Sequence, residues 1–408
     1  MITDLFKYVI KNLFIRITRS SLTIISIMVG IMAIFALLSF GEGLKTYVNS
    51  VAEDMGTNLL IAQPRGAGAP GTTGTYLSAD DLDFIRKQKG IVDATGFVFG
   101  NAEIKDNPDK KGKWSYVIGL SIKPDEIKFV EDMLSTLADL ESGRNLKAGD
   151  SKKAVLGYNY QVADRIFEKP LGLGDKIFIN DIKFEVIGFY EEIGNPADDS
   201  QAYISNDDAE EVLGLDSTEY GMIYIESEDG LEPGDVAERL EDRLRKFKDQ
   251  KEGQEDFAIT TFESQLEMFN QVINVLNGIL FLIALVSVLV AAVNIANTMY
   301  TAVMERTKEI GIMKAIGARN SYIRMIFVLE SGILGLLGGI LGILLGYLIS
   351  RLGGMIAKSA GYALLKPAFP LWLIVGCLFF AFLVGTVSGF FPAKQASELS
   401  PVEALREE

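Results

Sequence analysis

The strongest constraint on how this chain folds comes from four long apolar runs. They cover residues 20–41, 268–304, 325–350 and 367–391, and Glu330 is the one charged residue inside any of them. About 20 helical residues cross the ~30 Å hydrocarbon core of a membrane. Because each run reaches that length, the sequence predicts an α-helical membrane protein with four transmembrane helices.

The first apolar run follows four basic residues, Lys7, Lys11, Arg16 and Arg19. This arrangement is also typical of a signal peptide, but a signal-peptide core is only about 7–15 residues long and ends at a small-residue cleavage site. We therefore expect a retained first span. Apolar residues recur at helical spacing before it, which predicts a cytoplasmic interfacial amphipathic helix over residues 1–19.

The distribution of Lys and Arg beside the runs predicts the orientation in the membrane. Four lie before the first run, five lie at residues 305–324 between the second and third runs, and three lie at residues 351–366. The first two segments should therefore be cytoplasmic and the third external. With four spans, the tail at 392–408 is also cytoplasmic. Both termini therefore lie on the cytoplasmic side of the cell membrane, and residues 42–267 lie on its outer side.

The long external segment carries most of the acidic residues. Residues 43–270 hold 25 Lys and Arg against 45 Asp and Glu, a net charge of −20, while the remaining residues hold 14 against 9, a net charge of +5. Nucleic-acid-binding surfaces are usually basic, so we expect no nucleic-acid partner. We interpret the acid as solvated surface charge that keeps the domain soluble.

The residue types present exclude several kinds of chemistry. The chain has no His and a single Cys, Cys377, so it cannot form an intramolecular disulfide, a His/Cys zinc site or a Ser-His-Asp triad. The acidic clusters, including Asp198 and Asp199, lack the spacing of a calcium loop, and the spacing of the acids neither supports nor excludes a glycosidase-type pair. We assign no catalytic, cofactor-binding or metal-ligating residue.

Local patterns indicate that the segment between the first two spans is a large α+β domain. Apolar residues alternate around Asn180-Asp181, which predicts a β-hairpin over 177–186, and residues 58–63 and 220–227 each suggest another strand. Ser78 and Asp235 each stand three residues before an acidic residue, and both patterns resemble the capping box that begins a helix. Residues 64–75 predict a mobile Gly-rich loop, which lacks the Lys-Ser/Thr of a phosphate-binding loop.

The second apolar run is longer than a bilayer requires, since 37 residues at 1.5 Å each reach ~55 Å. Its first part is amphipathic, and the first span continues outward in the same manner, so both predict a helical stalk below the external domain. Packing within one chain and packing across a dimer are equally compatible with the pattern. The residues assigned to the stalk stripes are Leu44, Tyr47, Val48, Val51, Phe269, Val272, Ile273 and Leu276.

The third run is rich in glycine at helical spacing. Small residues spaced in this way allow two helices to approach closely in a membrane. The residues assigned to helix packing are Gly335, Gly338, Gly339, Gly342 and Gly346. For Glu330 in the same run, three roles stay open: its side chain can reach the interface, pair with Arg324, or act as a proton site.

The link at 305–324 predicts a short cytoplasmic helix. Glu305 and Lys308 can pair at i,i+3, Ile312 and Ile316 form an apolar ridge, and Gly317 is a natural helix stop. A short helix with an apolar ridge is suited to docking into a groove of another protein. A purely structural interfacial helix fits the same pattern equally well.

This link and several shorter segments together resemble the MacB/FtsX/LolC-type permeases, the membrane subunits of ABC systems. The stretch from Glu305 to Ala318 is similar to the coupling segment of the family, and the tail from Pro392 to Arg406 is similar to its C-terminus. Three further similar segments lie at residues 56–60, 143–146 and 184–188. The resemblance therefore covers nearly the whole chain in order.

The resemblance implies a homodimer of four-span subunits with a MacB-like periplasmic core domain on its stalk, in contact with membrane lipids and able to take an external adaptor or substrate protein as a further partner. It also implies an ABC ATP-binding subunit on the inner face. The chain carries no Gly-x-x-x-x-Gly-Lys-Ser/Thr motif, so we expect it to bind no cofactor directly, not to be an enzyme, and to leave ATP and Mg to the partner. The coupling contact would fall on Glu305, Arg306, Glu309, Ile310, Met313, Lys314 and Gly317, with residues 401–406 nearby.

Two functions follow from the resemblance. In the first, ATP hydrolysis by the partner moves the external domains of the dimer for export or extraction of a lipid, peptide, lipoprotein or drug. In the second, the chain is an FtsX-like transmembrane regulator whose external domain activates a cell-wall enzyme. An ion-coupled carrier would need inverted repeats and polar sites at the membrane midplane, which the sequence does not show.

Overall fold

The computed structural model describes residues 17–55, 58–66, 75–137, 139–215, 219–401 and 404. Most of the predicted interfacial helix at 1–19 and most of the Gly-rich loop at 64–75 lie outside the described residues. The chain divides into two compact units. One consists of Met1–Thr46, Gln271–Ile356 and Leu365–Glu408, and the other of Tyr47–Asn270 with Ala357–Leu364.

The described helices fall into two groups by length. The long helices are α1 (Ile17–Met55), α6 (Phe262–Glu305), α8 (Asn320–Ser359) and α9 (Leu371–Glu398). The short helices are α2 (Ala79–Arg86), α3 (Ile127–Leu137), α4 (Asn206–Leu213), α5 (Pro233–Phe247) and α7 (Thr307–Ala315). Within the described residues, the four long helices are long and apolar enough to cross a membrane, which confirms the four predicted spans.

The four spans share one apolar core in the first unit. It includes Ile31 of α1, Ile295 of α6, Phe327 of α8 and Ala381 of α9, all buried. Polar contacts join the spans at two levels, because the Thr23 and Thr298 hydroxyls lie 2.8 Å apart and the Ser39 hydroxyl donates to that of Ser350 at 3.0 Å. The spans therefore pack as one bundle around small and β-branched side chains.

The four long helices extend beyond the apolar runs that predict them, as α6 and α8 illustrate. Helix α6 begins at Phe262, where the Thr261 hydroxyl accepts a hydrogen bond from the Ser264 N–H at 2.9 Å and caps the helix. Helix α8 continues through Ser359, past the predicted start of the external loop at 351, and ends before Gly361, whose φ is +89°. Both differences arise because the length of a charge-free run reflects the thickness of the hydrocarbon layer. The helix itself can continue beyond that layer.

The second unit is built on a mixed sheet. Its strands are β1 (Leu59–Pro64), β3 (Ile91–Lys105), β4 (Lys113–Leu120), β5 (Leu140–Gly143), β6 (Lys153–Leu156), β7 (Lys176–Ile179), β8 (Ile182–Tyr190), β9 (Ala202–Ser205), β11 (Met222–Ser227) and β12 (Phe257–Thr261). Among the described strands the order is β12-β1-β11-β3-β4-β9-β6-β8-β5, and β7 pairs with β3 and β8. A separate two-stranded ladder joins β2 (Leu77–Ser78) to β10 (Glu219–Tyr220).

Strand β3 belongs to both halves of the sheet. Its first part pairs antiparallel with β11, from Ile91 to Phe97, and its second part pairs antiparallel with β4, from Val98 to Ile104. Successive side chains of a strand point to opposite faces. Val98 accordingly joins the core beneath α2 and α5, whereas Phe97 joins the core beneath α3.

The local patterns predicted in this domain can be compared with the structure. The hairpin is confirmed: β7 and β8 pair antiparallel, and Asn180 and Asp181 both have positive φ, as a two-residue turn requires. The Ser78 capping box is also confirmed. The one at Asp235 is wrong, because α5 begins at Pro233, a residue whose fixed φ suits the first helical position.

The link between α8 and α9 folds onto the α/β domain. Residues Ala357–Leu364 belong to the second unit, where the Leu364 N–H donates to the Gly194 carbonyl at 3.1 Å. Asp199 holds this Gly194 loop, since its buried carboxylate accepts from the Ile193 and Gly194 N–H groups at 2.8 and 2.9 Å. Burial raises the pKa of Asp199 above its usual value, and the two hydrogen bonds oppose that rise.

Candidate functional site

The short helix α7 follows α6 after a single intervening residue. That residue, Arg306, has φ −109° and ψ 15°, and helix α7 then runs from Thr307 to Ala315. Past its end, the Gly317 N–H bonds to the Lys314 carbonyl at 3.0 Å, and Gly317 has a φ of +94°. The predicted stop at Gly317 is therefore confirmed, because a residue with a side chain rarely adopts this conformation.

A buried ion pair lies at the junction between α6 and α7. The guanidinium of Arg306 donates to both carboxylate oxygens of Glu330 on α8, at 3.0 and 3.3 Å. Their side chains are only 8% and 6% exposed. Glu330 therefore has a charged partner inside the bundle.

This partner differs from the Arg324 that the sequence suggests. Six residues along an α-helix correspond to a rotation of about 240°, so Arg324 and Glu330 lie on different sides of α8. The Arg324 guanidinium lies over the ring of Phe390 instead, 5.9 Å from its centroid. Arg306 is close to Glu330 only in space, which spacing along the sequence does not reveal.

The other end of α7 is tied to the end of α9. The Lys314 ammonium donates to the Leu399 carbonyl at 2.6 Å. Between the two ties, Ile310 is fully buried in the core of the bundle, and Met313 packs against that core. One face of α7 is thus held by both α8 and α9.

The opposite face of α7 is exposed. Ile312 is 54% and Ile316 81% exposed, and Lys308 and Glu309 are exposed beside them. Met304, one turn before Lys308 at the end of α6, is 65% exposed as well. The result is an apolar ridge flanked by both signs of charge, which we call the α7 ridge (Met304, Lys308, Glu309, Ile312 and Ile316).

The seven residues predicted for coupling lie on this one segment but do not share one face. Glu305, Glu309 and Gly317 are exposed, Met313 and Lys314 are half-buried, and Arg306 and Ile310 are buried. Their role in coupling stays a prediction. Met304 was not among them; it lies at the end of α6, four residues before Lys308, and its exposure is seen only in the structure.

The residues predicted for the stalk show a similar division. Val48 and Ile273 are buried, Leu44 and Tyr47 are half-buried, and Phe269, Val272 and Leu276 are exposed; the side chain of Val51 lies outside the described residues. The exposed face of α6 continues along the helix. The large apolar residues of α6 that are exposed between residues 268 and 293 are Met268, Phe269, Val272, Val275, Leu276, Ile279, Phe281, Leu282, Ile283, Val286, Leu289, Val290 and Val293.

Three of the five predicted packing glycines lie against α1. A Cβ at Gly338 would stand 2.7 Å from Ile27 Cβ, and one at Gly342 would stand 2.8 Å from the Met28 carbonyl oxygen. At Gly346 the nearest atom would be Cδ1 of Phe35, 3.0 Å away. These distances are shorter than ordinary contacts, so α8 and α1 touch through their backbones here.

The other two glycines lie against α9. A Cβ at Gly335 would be 2.4 Å from the Ala381 carbonyl oxygen, and one at Gly339 would be 2.7 Å from Ala381 Cβ. From the α9 side, a Cβ at Gly385 would be 2.4 Å from the Ser331 carbonyl oxygen. Helix α8 therefore carries a glycine face toward each of two neighbouring spans.

The described residues contain no group of three or more Asp, Glu, Cys or His that could hold a metal ion. Within this part of the chain, the main features are an α/β domain, a bundle of four spans, and a short helix with an exposed ridge.

Comparisons with known proteins match both halves of this architecture. Residues 20–243 match the family of MacB-like periplasmic core domains, and residues 281–401 match the FtsX-like permease C-terminal family. An uncharacterized ABC transporter permease of Methanocaldococcus jannaschii is 34% identical over 408 residues, which is 100% of this chain and 98% of that protein. This chain is an ABC transporter permease of the MacB/FtsX type.

The permease is also similar to longer proteins. It is 28% identical to a macrolide export ATP-binding/permease protein MacB of Marinobacter nauticus, over 98% of this chain but 60% of that protein. The permease also matches a crystal structure of the periplasmic region of MacB from Actinobacillus actinomycetemcomitans. The match includes 53% of the permease and 94% of that structure, with 18% identity and a TM-score of 0.42. The permease thus spans about 60% of the length of the MacB proteins that it matches.

Proposed function

We propose that this permease couples ATP hydrolysis by a separate ATP-binding subunit to motion of its external domain, with the α7 ridge as the docking surface. The observation that carries the proposal is the exposure of Ile312 and Ile316, at 54% and 81%, on a helix whose other face is tied to α8 and α9. An apolar side chain that stands out among charges gains free energy when a partner's groove removes it from water. The ATP and Mg would be bound by that partner.

The proposed topology places α7 and both termini in the cytoplasm. Five Lys and Arg lie at residues 305–324 and four before the first span, and such an excess favours the cytoplasmic side. The α/β domain is then external, as its relation to periplasmic core domains implies. An ATP-binding subunit would therefore meet the permease at the α7 ridge.

We also propose that the permease acts as a homodimer through α6. The exposed apolar face of this helix begins at Met268 and Phe269, before the hydrocarbon-spanning part, and continues through Val272, Val275 and Leu276. Lipid tails can cover such residues only within the hydrocarbon layer. A second copy of α6 would cover them outside it, and a two-fold contact of this kind is the commonest arrangement among soluble oligomers.

The proposed work is export or extraction of a substrate that meets the external domains. Candidate classes are lipids, peptides, lipoproteins and drugs, and the similar proteins named for macrolide export favour an amphipathic small molecule. The FtsX-like alternative, in which the external domain activates a cell-wall enzyme, predicts no transported compound. Stimulation of ATP turnover by a compound would support export, and capture of a soluble external enzyme would support regulation.

A test of the coupling proposal uses Ile316→Asp in the full-length permease. We expect the charge to abolish copurification of a subunit with a Walker motif from mild detergent, because docking would have to bury an unpaired carboxylate. Leu173→Asp is the matched control, since Leu173 is an exposed apolar residue of the external domain at 53% exposure. Copurification and ATP turnover that survive Ile316→Asp would rule out the α7 ridge as the docking surface.

A further inference from the structure

The Arg306–Glu330 pair occupies the point where the chain leaves the second span. Helix α6 ends at Glu305 and α7 begins at Thr307, so Arg306 is the hinge residue between them. Its guanidinium is directed not along its own helices but into α8, where it makes two hydrogen bonds to one carboxylate. Such a bidentate pair fixes the orientation of the guanidinium relative to the carboxylate as well as the distance between them.

The pair is a poor source of net stability. Two charges lose their hydration when they are buried, and a buried pair is often no more stable than apolar residues of the same volume. Removing only one partner, however, leaves an unpaired buried charge. The geometry of the pair is therefore a better explanation for its presence than its contribution to folding free energy.

A second tie lies at the far end of α7. Lys314 donates to the Leu399 carbonyl just after α9 ends at Glu398. Ile310, between the two ties, has no exposed surface. Arg306, Ile310 and Lys314, spaced four residues apart, thus hold this short segment against the bundle, while the side that carries Ile312 and Ile316 is exposed.

We propose that Arg306 and Glu330 are positioning residues that lock α7 to the third span, so that displacement of the α7 ridge moves α8 directly. The proposal rests on the proposed role of the ridge as the docking surface. Without the pair, α7 would be joined to the bundle by its own chain, by the buried Ile310 and by the Lys314 tie, and its Arg306 end would no longer be fixed to α8. With the Arg306–Glu330 pair in place, a force on the α7 ridge acts on α6, α8 and α9 together.

The test measures hydrogen exchange of residues 307–315 and the thermal unfolding midpoint in the permease alone, in lipid nanodiscs. Arg306→Lys keeps the charge but loses the two-pronged geometry, and we expect α7 to exchange at least roughly tenfold faster. The double variant Arg306→Met/Glu330→Leu removes both charges. It should unfold at or above the wild-type temperature and yet still show the fast exchange of α7.

The matched control is Arg324→Gln, which removes the nearby guanidinium that lies over Phe390. It should leave the exchange of α7 unchanged. Wild-type exchange in Arg306→Lys, wild-type exchange in the double variant, or equal acceleration by Arg324→Gln would each overturn the proposal. Because no ATP-binding subunit is present in this test, failure of the docking proposal gives a different result, namely partner binding that is retained in Ile316→Asp, whatever the exchange of α7.

Discussion

Individual glycines decide how closely the third and fourth spans approach. Gly335 and Gly385 face each other across α8 and α9, and a Cβ at either would come within 2.4 Å of a backbone carbonyl oxygen. A carbonyl cannot rotate away as a side chain can, so relief requires the helices to separate. Gly376 lies on the same helix as Gly385, and a Cβ there would meet nothing within 4 Å.

We expect Gly385→Ala to destabilise the bundle and Gly376→Ala not to do so. Forcing a methyl group against the Ser331 carbonyl costs roughly 1–3 kcal/mol of packing free energy, whereas Ala at the open position improves helix propensity. Thermal unfolding midpoints of both variants in nanodiscs measure the difference. Equal midpoints would show that α8 and α9 do not touch at Gly385.

At the scale of single residues, the sequence predicts which glycines share a helix face, but it does not predict which side chain pairs with Glu330. The repeat of small residues in the third run indicates which positions allow close approach, because all of them lie on one helix. Whether Glu330 meets Arg324 or Arg306 depends on how two helices pack. Arg306 and Glu330 lie 24 positions apart in the chain, with a helix, a turn and the start of another helix between them, and no local pattern specifies the outcome.

The link between the third and fourth spans shows how two elements are joined by backbone. Leu364 bonds to the Gly194 carbonyl, and a Cβ at Gly194 would lie 2.6 Å from Ala363 Cβ and 2.9 Å from the Leu364 nitrogen. Gly194 also has a φ of +90°. Glycine is therefore required at position 194 for two reasons: the positive φ disfavours a side chain, and the link leaves no room for one.

Gly194→Ala should release this link from the domain. Gly174→Ala is the matched control, because Gly174 has a φ of +85° but nothing within 4 Å of its Cβ position. Both variants carry backbone strain of about 1–3 kcal/mol, and only Gly194→Ala also displaces residues 363 and 364. Limited trypsin cleavage after the exposed Lys358 should become faster in Gly194→Ala alone; equal rates in both variants would contradict the contact.

Element types were predictable where local chemistry dominates. The Asn180-Asp181 turn and the Ser78 cap follow from side chains a few residues apart, and both are present. The Asp235 cap failed because Pro233, two residues earlier, already starts α5. The docking of residues 357–364 on the Gly194 loop has no sequence signal, since its contacts are between backbone atoms far apart in the chain.

The order of the whole molecule follows from the alternation of apolar and acidic segments. Four spans and one inserted domain could be predicted because the hydrocarbon thickness and the cost of burying charge act on long stretches. The order of strands could not, because β4 pairs in parallel with β9 and β6 with β8. Such pairings join segments that are distant in the chain, and strand propensity does not encode them.

The dimer proposal predicts contacts between copies of α6. With Cys377 replaced by Ser, Val272→Cys should form disulfide-linked dimers in oxidised membranes, since Val272 is 58% exposed on the stalk part of α6. Val375→Cys is the control, because Val375 is 55% exposed on α9. Equal cross-linking at the two sites would indicate random collision and would contradict a dimer through α6.

Strand β3 limits how the external domain can hold anything. One continuous strand of 15 residues serves both halves of the sheet, so the halves cannot part without breaking its hydrogen bonds to β11 or β4. Within the described residues, the two halves of the sheet in one domain therefore cannot open and close against each other. Under the export proposal, a substrate would therefore be held between whole domains, or between a domain and another surface, and the distance that whole domains move would set how far the substrate travels.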